Sequence, residues 1–193
     1  MDVMKRTVMH IEEYEVYAEI TGFRGIQIDN TKKIADLTNQ EKKRNTTVQF
    51  LNAQYIVTWE HLYFAVLNAL LGFRNNFNIS RSLGVEIILY ASAQRQIRKA
   101  IDLVGVKSGC MDLAVVIVDK NEEAIRRSLS EIVECMGKAL DESVLGLSGR
   151  KRKEIQRVFN ISETEIHALT SHSTNKALLN LVIERMALLA TQL

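Results

Sequence analysis

The sequence predicts an α+β fold: a single domain in which a small mixed β-sheet packs with several helices and a C-terminal helix. Two apolar runs are the main observation, Val85–Tyr90 and Met111–Val118, because short runs rich in valine and isoleucine are typical of buried strands. An amphipathic helix predicted over Ala93–Val104 joins them, a length that suits a parallel crossover, and its apolar stripe is Ile97, Ala100, Ile101 and Val104. A helical apolar pattern closes the chain at Asn175–Leu193, and 193 residues suffice to bury one sizeable core.

The first half of the chain supplies two more strands and two helices. Alternation of apolar and polar residues predicts a strand over Glu15–Thr21, and a second short strand is predicted at Val48–Leu51. Asp29–Lys43 is polar and predicts only a weak helix. A stronger helix begins after Thr58, a good N-cap, and is expected to reach Leu71 before Gly72.

The second half is expected to be largely helical after the central strand. Asn121 is expected to cap a helix that ends at about Met136. A basic loop is predicted over Gly146–Arg152, leading into another helix. Ser162 and Glu165 have the spacing of a capping box, which predicts one further short helix. No repeat, low-complexity tract or linker divides the chain.

Composition leaves a binding function open without identifying the partner. The net charge is only +2 and 47% of the residues are hydrophobic, as in ordinary soluble domains. Residues 74–107 nevertheless carry six basic side chains against two acidic ones, which suits an anionic partner or, equally, a solvated helix face. Cys110 and Cys135 fit no metal or disulfide spacing, and no signal peptide or membrane span is recognised, so a cytoplasmic location without membrane contact is expected.

The motifs that would support catalysis are incomplete. The segment Gly146–Lys151 lacks the glycine spacing of a phosphate-binding loop, and Gly22–Gly25 follows a strand, unlike the GxxG of KH domains. The four histidines are scattered, and no cysteine or serine stands in a nucleophile motif. We therefore expect no enzymatic activity, no cofactor and no metal.

The terminal helix has more apolar residues than one packing face requires. At about 100° per residue, one broad arc collects Leu178, Leu179, Val182, Ile183, Met186, Leu189, Ala190 and Leu193. Leu181 and Leu188 fall outside this arc, one heptad apart, bordered by Glu184, Arg185 and Gln192. They indicate a second hydrophobic contact, either with a partner or with a neighbouring helix of the same chain.

Several short motifs occur in an order that is similar to one known family. The most specific is Ala91-Ser92-Ala93-Gln94-Arg95-Gln96-Ile97, followed by Ala100-Ile101 and Gly105. The others are Leu51-Asn52-Ala53, Glu60-His61-Leu62, Ser82-Leu83-Gly84-Val85-Glu86-Ile87, Asp141-Glu142-Ser143-Val144-Leu145 and Ile183-Glu184-Arg185-Met186-Ala187-Leu188-Leu189. Together they resemble the TPRKB-like kinase-binding subunit of the KEOPS (EKC) complex, of the archaeal type. The resemblance begins at about residue 14, so residues 1–13 form an N-terminal extension of a single domain, 1–193.

The resemblance implies a non-catalytic regulatory subunit that takes part in tRNA modification to threonylcarbamoyl-adenosine. Such a subunit binds the small atypical kinase/ATPase subunit of KEOPS, contacts the other subunits indirectly, and binds tRNA at its single-stranded 3′ CCA tail. The terminal helix would then present Leu181, Arg185 and Leu188 to the kinase. The basic segment would present Gln94, Arg95, Arg98 and Lys107 to tRNA, unless an arginine pairs internally with Glu86 or Asp102.

Two alternatives from other functional classes stay open. A small-molecule- or anion-binding α/β domain would place its pocket near Ser92–Gln94, beside the N-terminus of the predicted helix. A structural homodimer would use Leu181 and Leu188. The basic stretch Gly149–Lys153 departs from the family pattern, and it is either additional tRNA-facing charge or a solvated loop.

Overall fold

A four-stranded antiparallel sheet forms the centre of the computed structural model, which describes residues 8–27, 31–169 and 173–191, without the side chains of residues 190 and 191. The strands are β1 (Met9–Ile11), β2 (Val16–Phe23), β3 (Thr47–Asn52) and β4 (Leu113–Asp119), in the spatial order β1-β2-β4-β3. β4 pairs with β2 on one side and β3 on the other, so that Ala114 lies opposite both Gly22 and Leu51. It is therefore the central strand that its β-branched sequence predicts.

Helices cover both faces of the sheet, because β4 is apolar on both sides. Ala114, Val116 and Val118 belong to the larger core, whereas Leu113, Val115 and Ile117 belong to the smaller one. The helices of the described residues are α1 (Lys32–Lys43), α2 (Trp59–Arg74), α3 (Leu83–Ser92), α4 (Ile97–Val104), α5 (Glu122–Met136), α6 (Gly149–Val158), α7 (Glu163–Leu169) and α8 (Thr174–Thr191). α1 and α5 contribute to the smaller core, and the other six helices contribute to the larger core.

The segment Val85–Tyr90 is helical, so the strand predicted there is wrong. It lies within α3, in which every residue from Glu86 to Ser92 is buried. A helix that is buried on nearly all sides loses the polar stripe that separates a helix from a strand in sequence. Without this strand there is no parallel crossover, and the sheet is antiparallel rather than mixed. The next helix, α4, begins at Ile97 and not at Ala93.

The α+β class and the C-terminal helix are confirmed, and most other elements lie close to their predicted bounds. The sequence pattern missed β1, which pairs with β2 through residues of the predicted N-terminal extension. The basic stretch Gly149–Lys153 opens α6 and is not a loop; Ser148 caps this helix by accepting a hydrogen bond from the Lys151 amide. The capping box is confirmed, since the Glu165 amide donates to Ser162 Oγ at 3.2 Å and the Ser162 amide to Glu165 Oε2 at 2.8 Å. Asp29, Gln192 and Leu193 lie outside the described residues.

Cys110 is buried, Cys135 is half-buried, and neither is in a disulfide. Among the residues described, no group of three or more histidine, cysteine, aspartate or glutamate side chains has an arrangement that could hold a metal ion. No helix in the described ranges combines the length and the apolar character that crossing a membrane requires.

Candidate interaction surfaces

A tight turn between α3 and α4 sets the position of the candidate tRNA-binding residues. Ala93 adopts a left-handed backbone conformation, with φ at 51°. Its amide donates to the Tyr90 carbonyl at 2.9 Å, and the Gln94 amide donates to the Leu89 carbonyl at 3.1 Å. These bonds satisfy carbonyls at the end of α3, which is the usual role of a left-handed helix-ending residue. The chain therefore reverses direction before Gln94.

The four candidate tRNA-binding residues lie at two ends of α4. Gln94 and Arg95 are half-buried in the connection that precedes α4, and Arg98 is exposed in its first turn. Lys107 follows the helix, and its ammonium donates to the Asp102 carbonyl at 2.6 Å. Because α4 has eight residues, its two ends are about 12 Å apart. Gln94, Arg95 and Arg98 thus form one group, and Lys107 stands apart from it.

Internal pairing with Glu86 is not the role of Arg98. Glu86 is completely buried, and its carboxylate accepts hydrogen bonds from the amides of Ile79 at 3.1 Å and Ser80 at 2.7 Å. Arg98 makes no ion pair within the described part of the chain. Arg95 lies close enough to Tyr90 to lower the pKa of its phenol, although burial raises that pKa by more.

The outward face of α4 carries two side chains of its apolar stripe. Ala100 and Val104 are buried as predicted, but Ile97 is 40% exposed and Ile101 is 43% exposed. The two isoleucines are one helical turn apart and therefore lie on the same face. α4 contacts α3 and the short 3₁₀ turn Ala53–Tyr55, and neither element covers these two isoleucines. We call this surface, with the preceding loop, the α4 surface: Gln94, Arg95, Ile97, Arg98 and Ile101.

α8 packs against α2, α3 and α7 and leaves Leu188 at the surface. Leu181 is only 4% exposed and belongs to the larger core, so its predicted position outside the packed face is wrong. Leu188 is 44% exposed, as its position in the helical pattern predicts. Arg185 is ion-paired with Glu165 of α7, which holds its guanidinium against the neighbouring helix.

His61 fixes the start of α2 to the end of α3, directly before the Ala93 turn. The Val57 amide donates to His61 Nδ1 at 3.2 Å, so Nε2 carries the hydrogen and donates to the Ala91 carbonyl at 3.0 Å. The ring is fully buried, and burial lowers its pKa to about 4; the Ala91 carbonyl opposes this shift and the Lys151 charge adds to it. This neutral imidazole therefore positions the base of the α4 surface.

Comparison with known proteins identifies the family. Residues 24–190 match the family model described as kinase binding protein CGI-121. The chain is also similar to the regulatory protein Cgi121 of Methanocaldococcus jannaschii, with 33% identity over 142 residues, covering 74% of this chain and 83% of that protein. The chain belongs to the CGI-121 family.

The CGI-121 match includes every candidate interaction residue. It takes in α4 and the part of α8 that carries Arg185 and Leu188, and it begins near the end of β2. β1 and all of β2 therefore precede the matched region, although both strands belong to the central sheet. The matched region thus contains β3, β4 and the eight helices described above, except for the last residue of α8.

Sequence reasoning missed three residues that the structure places at or beneath these surfaces. Ile97 and Ile101 belong to the apolar stripe that the sequence predicts, and helical spacing alone does not reveal how much of a short helix is covered. His61 is one of four scattered histidines, and its spacing from the others indicates no site. The only sequence signal for it is its position in the apolar first turns of α2, where a polar ring requires buried hydrogen-bond partners.

Proposed function

We propose that this CGI-121 protein is a non-catalytic, cytoplasmic subunit of the KEOPS complex in tRNA threonylcarbamoyl-adenosine modification. It binds the small atypical kinase/ATPase subunit through α8 and the tRNA 3′ CCA tail through the α4 surface. The observation that carries the proposal is the match of most of the chain to a family described as kinase-binding. Contacts with the remaining KEOPS subunits are then indirect, through the kinase.

The kinase-binding surface is centred on Leu188 and Arg185. An exposed leucine offers apolar area to a partner, and arginine is enriched at the centres of protein interfaces. Because Glu165 already holds Arg185, this arginine loses less side-chain entropy when a partner covers it. Leu181 is excluded from this surface by its burial. This exclusion also removes the two-leucine patch that a structural homodimer would need.

The kinase assignment is tested with the Leu188→Glu variant in a pull-down and a titration against the small kinase. We expect the affinity to fall at least tenfold, about 1.4 kcal/mol, because binding would bury an unpaired carboxylate. Asn180→Glu is the matched control, since Asn180 is exposed on the same helix. Leu181→Glu is expected to unfold the protein. Unchanged kinase affinity in a folded Leu188→Glu variant would place the interface elsewhere.

The tRNA-binding surface combines cationic and apolar groups in one place. Arginine contacts phosphate and stacks on unpaired bases, while exposed isoleucines provide apolar surface for a base that has left the helical stack. Gln94 has both a donor and an acceptor for a base edge. Lys107 lies at the other end of α4, apart from the other three residues, and its ammonium would contact the tRNA backbone as a point charge. This proposal does not require tRNA contacts from the basic side chains of α6.

The double variant Arg95→Glu, Arg98→Glu tests the tRNA assignment. We expect it to lose tRNA binding at moderate salt, and we expect wild-type binding to weaken when the CCA tail is removed. In the wild type, two arginine contacts with single-strand phosphates should contribute roughly 1.4 to the magnitude of the slope of log affinity against log salt. The double variant should lack this contribution. The control, Arg126→Glu with Arg127→Glu, makes the same charge change on α5, across the sheet. Equal tRNA binding by wild type and a folded Arg95/Arg98 variant would refute the assignment.

An anion pocket at Ser92–Gln94 has no support in the geometry. Ser92 lies in the last turn of α3, is fully buried, and donates its hydroxyl to the Leu89 carbonyl at 3.0 Å. The helix N-terminus on which that alternative depends is at Ile97. Ser92–Gln94 is therefore at a helix C-terminus, where backbone carbonyls disfavour an anion.

A further inference from the structure

A small polar cavity lies at the end of β2, away from α8. Its volume is about 120 Å³, and its walls include Arg24, Asp112, Ser143 and Lys151. These residues come from the end of β2, the start of β4, the short 3₁₀ turn Glu142–Leu145 and the first turn of α6. Pockets for whole cofactors are roughly 300–1,000 Å³, so this cavity has room for one small polar group.

Lys151 places a positive charge in the wall of this cavity without a neighbouring carboxylate. The residue is only 6% exposed. Its ammonium donates to the Val144 carbonyl at 2.8 Å and the Gly146 carbonyl at 3.1 Å, which uses two of its three hydrogens. Over the described ranges, no carboxylate lies within 4.0 Å of it. Burial lowers the pKa of this ammonium to about 8, with the charge of Asp112 opposing the shift and that of Arg24 adding to it.

Arg24 and Asp112 provide a second cation and an acceptor at the more exposed side of the cavity. Arg24 Nε donates to Asp141 at 2.8 Å, its Nη2 donates to Ser143 Oγ at 2.7 Å, and its Nη1 is 4.0 Å from Asp112 Oδ2. Asp112 Oδ1 accepts a hydrogen bond from the Gly25 amide at 3.0 Å. Its other oxygen, Oδ2, receives no hydrogen bond from the residues described.

We propose that this cavity binds one inorganic phosphate ion, with Lys151 and Arg24 donating to its anionic oxygens and Asp112 Oδ2 accepting its P–OH hydrogen. A buried ammonium and a guanidinium favour a small oxyanion, because charge-assisted hydrogen bonds are strong where water is excluded. The carboxylate selects among oxyanions, since it repels any that lacks a hydrogen to donate. Phosphate keeps at least one hydrogen at neutral pH, whereas sulfate keeps none, and phosphomonoesters are largely dianionic.

Thermal unfolding of the full-length protein at pH 7 tests the proposal. Phosphate should raise the Tm in a saturable manner, by roughly 5 °C at a hundredfold excess over its Kd, because it binds only the folded state. Sulfate, AMP and chloride at equal ionic strength should not. The test needs neither kinase nor tRNA, so its outcome is independent of the function proposed above. A Tm that rises equally in all four salts would overturn the site, and an equal rise with AMP or sulfate would overturn the role of Asp112.

Two variants tie the effect to the cavity. Lys151→Met should abolish the phosphate-dependent rise in Tm, whereas Lys153→Met, an exposed position on the same helix, should keep it. Arg24 is more than half exposed, so we expect Arg24→Gln to fold even if Lys151→Met does not. It should raise the phosphate concentration needed for the half-maximal shift at least tenfold. If the Tm of Arg24→Gln depends on the phosphate concentration as the wild-type Tm does, the assignment of a phosphate site to this cavity is refuted.

Discussion

His61 shows how one buried polar side chain fixes the geometry of a surface on another helix. Its ring joins the Val57 amide to the Ala91 carbonyl, two residues before the turn that leads to Gln94 and Arg95. Only the neutral ring satisfies this arrangement, because a protonated ring would direct a second N–H at the Val57 amide. The buried environment enforces this neutral state by lowering the pKa to about 4.

Stability should therefore depend on pH through His61. Its pKa is lower in the folded state than the 6.5 of the unfolded chain, so its contribution is fully present above pH 6.5 and is lost as the pH falls toward 4. A shift of this size is worth about 3 kcal/mol at most. Urea unfolding of wild type at pH 7.5 and pH 4.5 measures the loss.

The variant His61→Gln gives the matched comparison, because glutamine does not titrate in this range. It should lower the stability at pH 7.5 and flatten its dependence on pH between 7.5 and 4.5. His167→Gln, an exposed change on α7, should leave the wild-type dependence intact. If His61→Gln keeps the full wild-type slope, other groups cause the acid sensitivity.

At the scale of elements, α3 explains why the sequence prediction failed at its most informative segment. Apart from Glu86 and Ser92, its residues are apolar, because α3 packs against α2, α4, α8 and the sheet. A strand in a sheet centre and a helix in a core give the same unbroken run of Val, Ile and Leu. By contrast, α5 is half-exposed, and both its cap at Asn121 and its end at Gly137 were predictable. Prediction succeeded where water contacts one face of an element.

The left-handed ends of α3 and α5 provide a paired test of backbone strain. Ala93 ends α3 with φ at 51°, and Gly137 ends α5 with φ at 64°. A Cβ in this region costs about 1 kcal/mol. Ala93→Gly should therefore stabilise the protein by about 1 kcal/mol, and Gly137→Ala should destabilise it by a similar amount. No atom lies within 4 Å of a Cβ built at Gly137, so the second change involves the backbone alone.

Urea midpoints of both variants measure these differences. The Ala93→Gly variant should also retain the proposed tRNA binding if the α4 surface is held by the His61 and Gln94 hydrogen bonds rather than by the rigidity of residue 93. A destabilised Ala93→Gly variant would mean that packing of the Ala93 methyl group outweighs the relief of strain.

At the scale of the molecule, the sequence predicted the fold class and the resemblance, but not how the interaction residues are arranged. Family motifs depend on residue order, so they led to the CGI-121 family even though one strand was wrong. Burial depends on which helices meet, and this is not encoded in local periodicity. Leu181 lies outside the apolar arc of its helix yet is buried, and Ile97 lies within the apolar stripe of its helix yet is 40% exposed. Lys151 was read as part of a loop, so its burial could not be anticipated.

The central position of β4 has a consequence for how the protein is made. β2 and β3 have no hydrogen bonds with each other, and each pairs with β4, which begins at Leu113. Within the sheet, the nascent chain can therefore form only the β1–β2 hairpin until Asp119 has left the ribosome. Contacts that join distant segments form slowly, and until they form, unpaired strand edges favour aggregation. During synthesis, the first half of the chain thus depends on the second to cover its apolar strands.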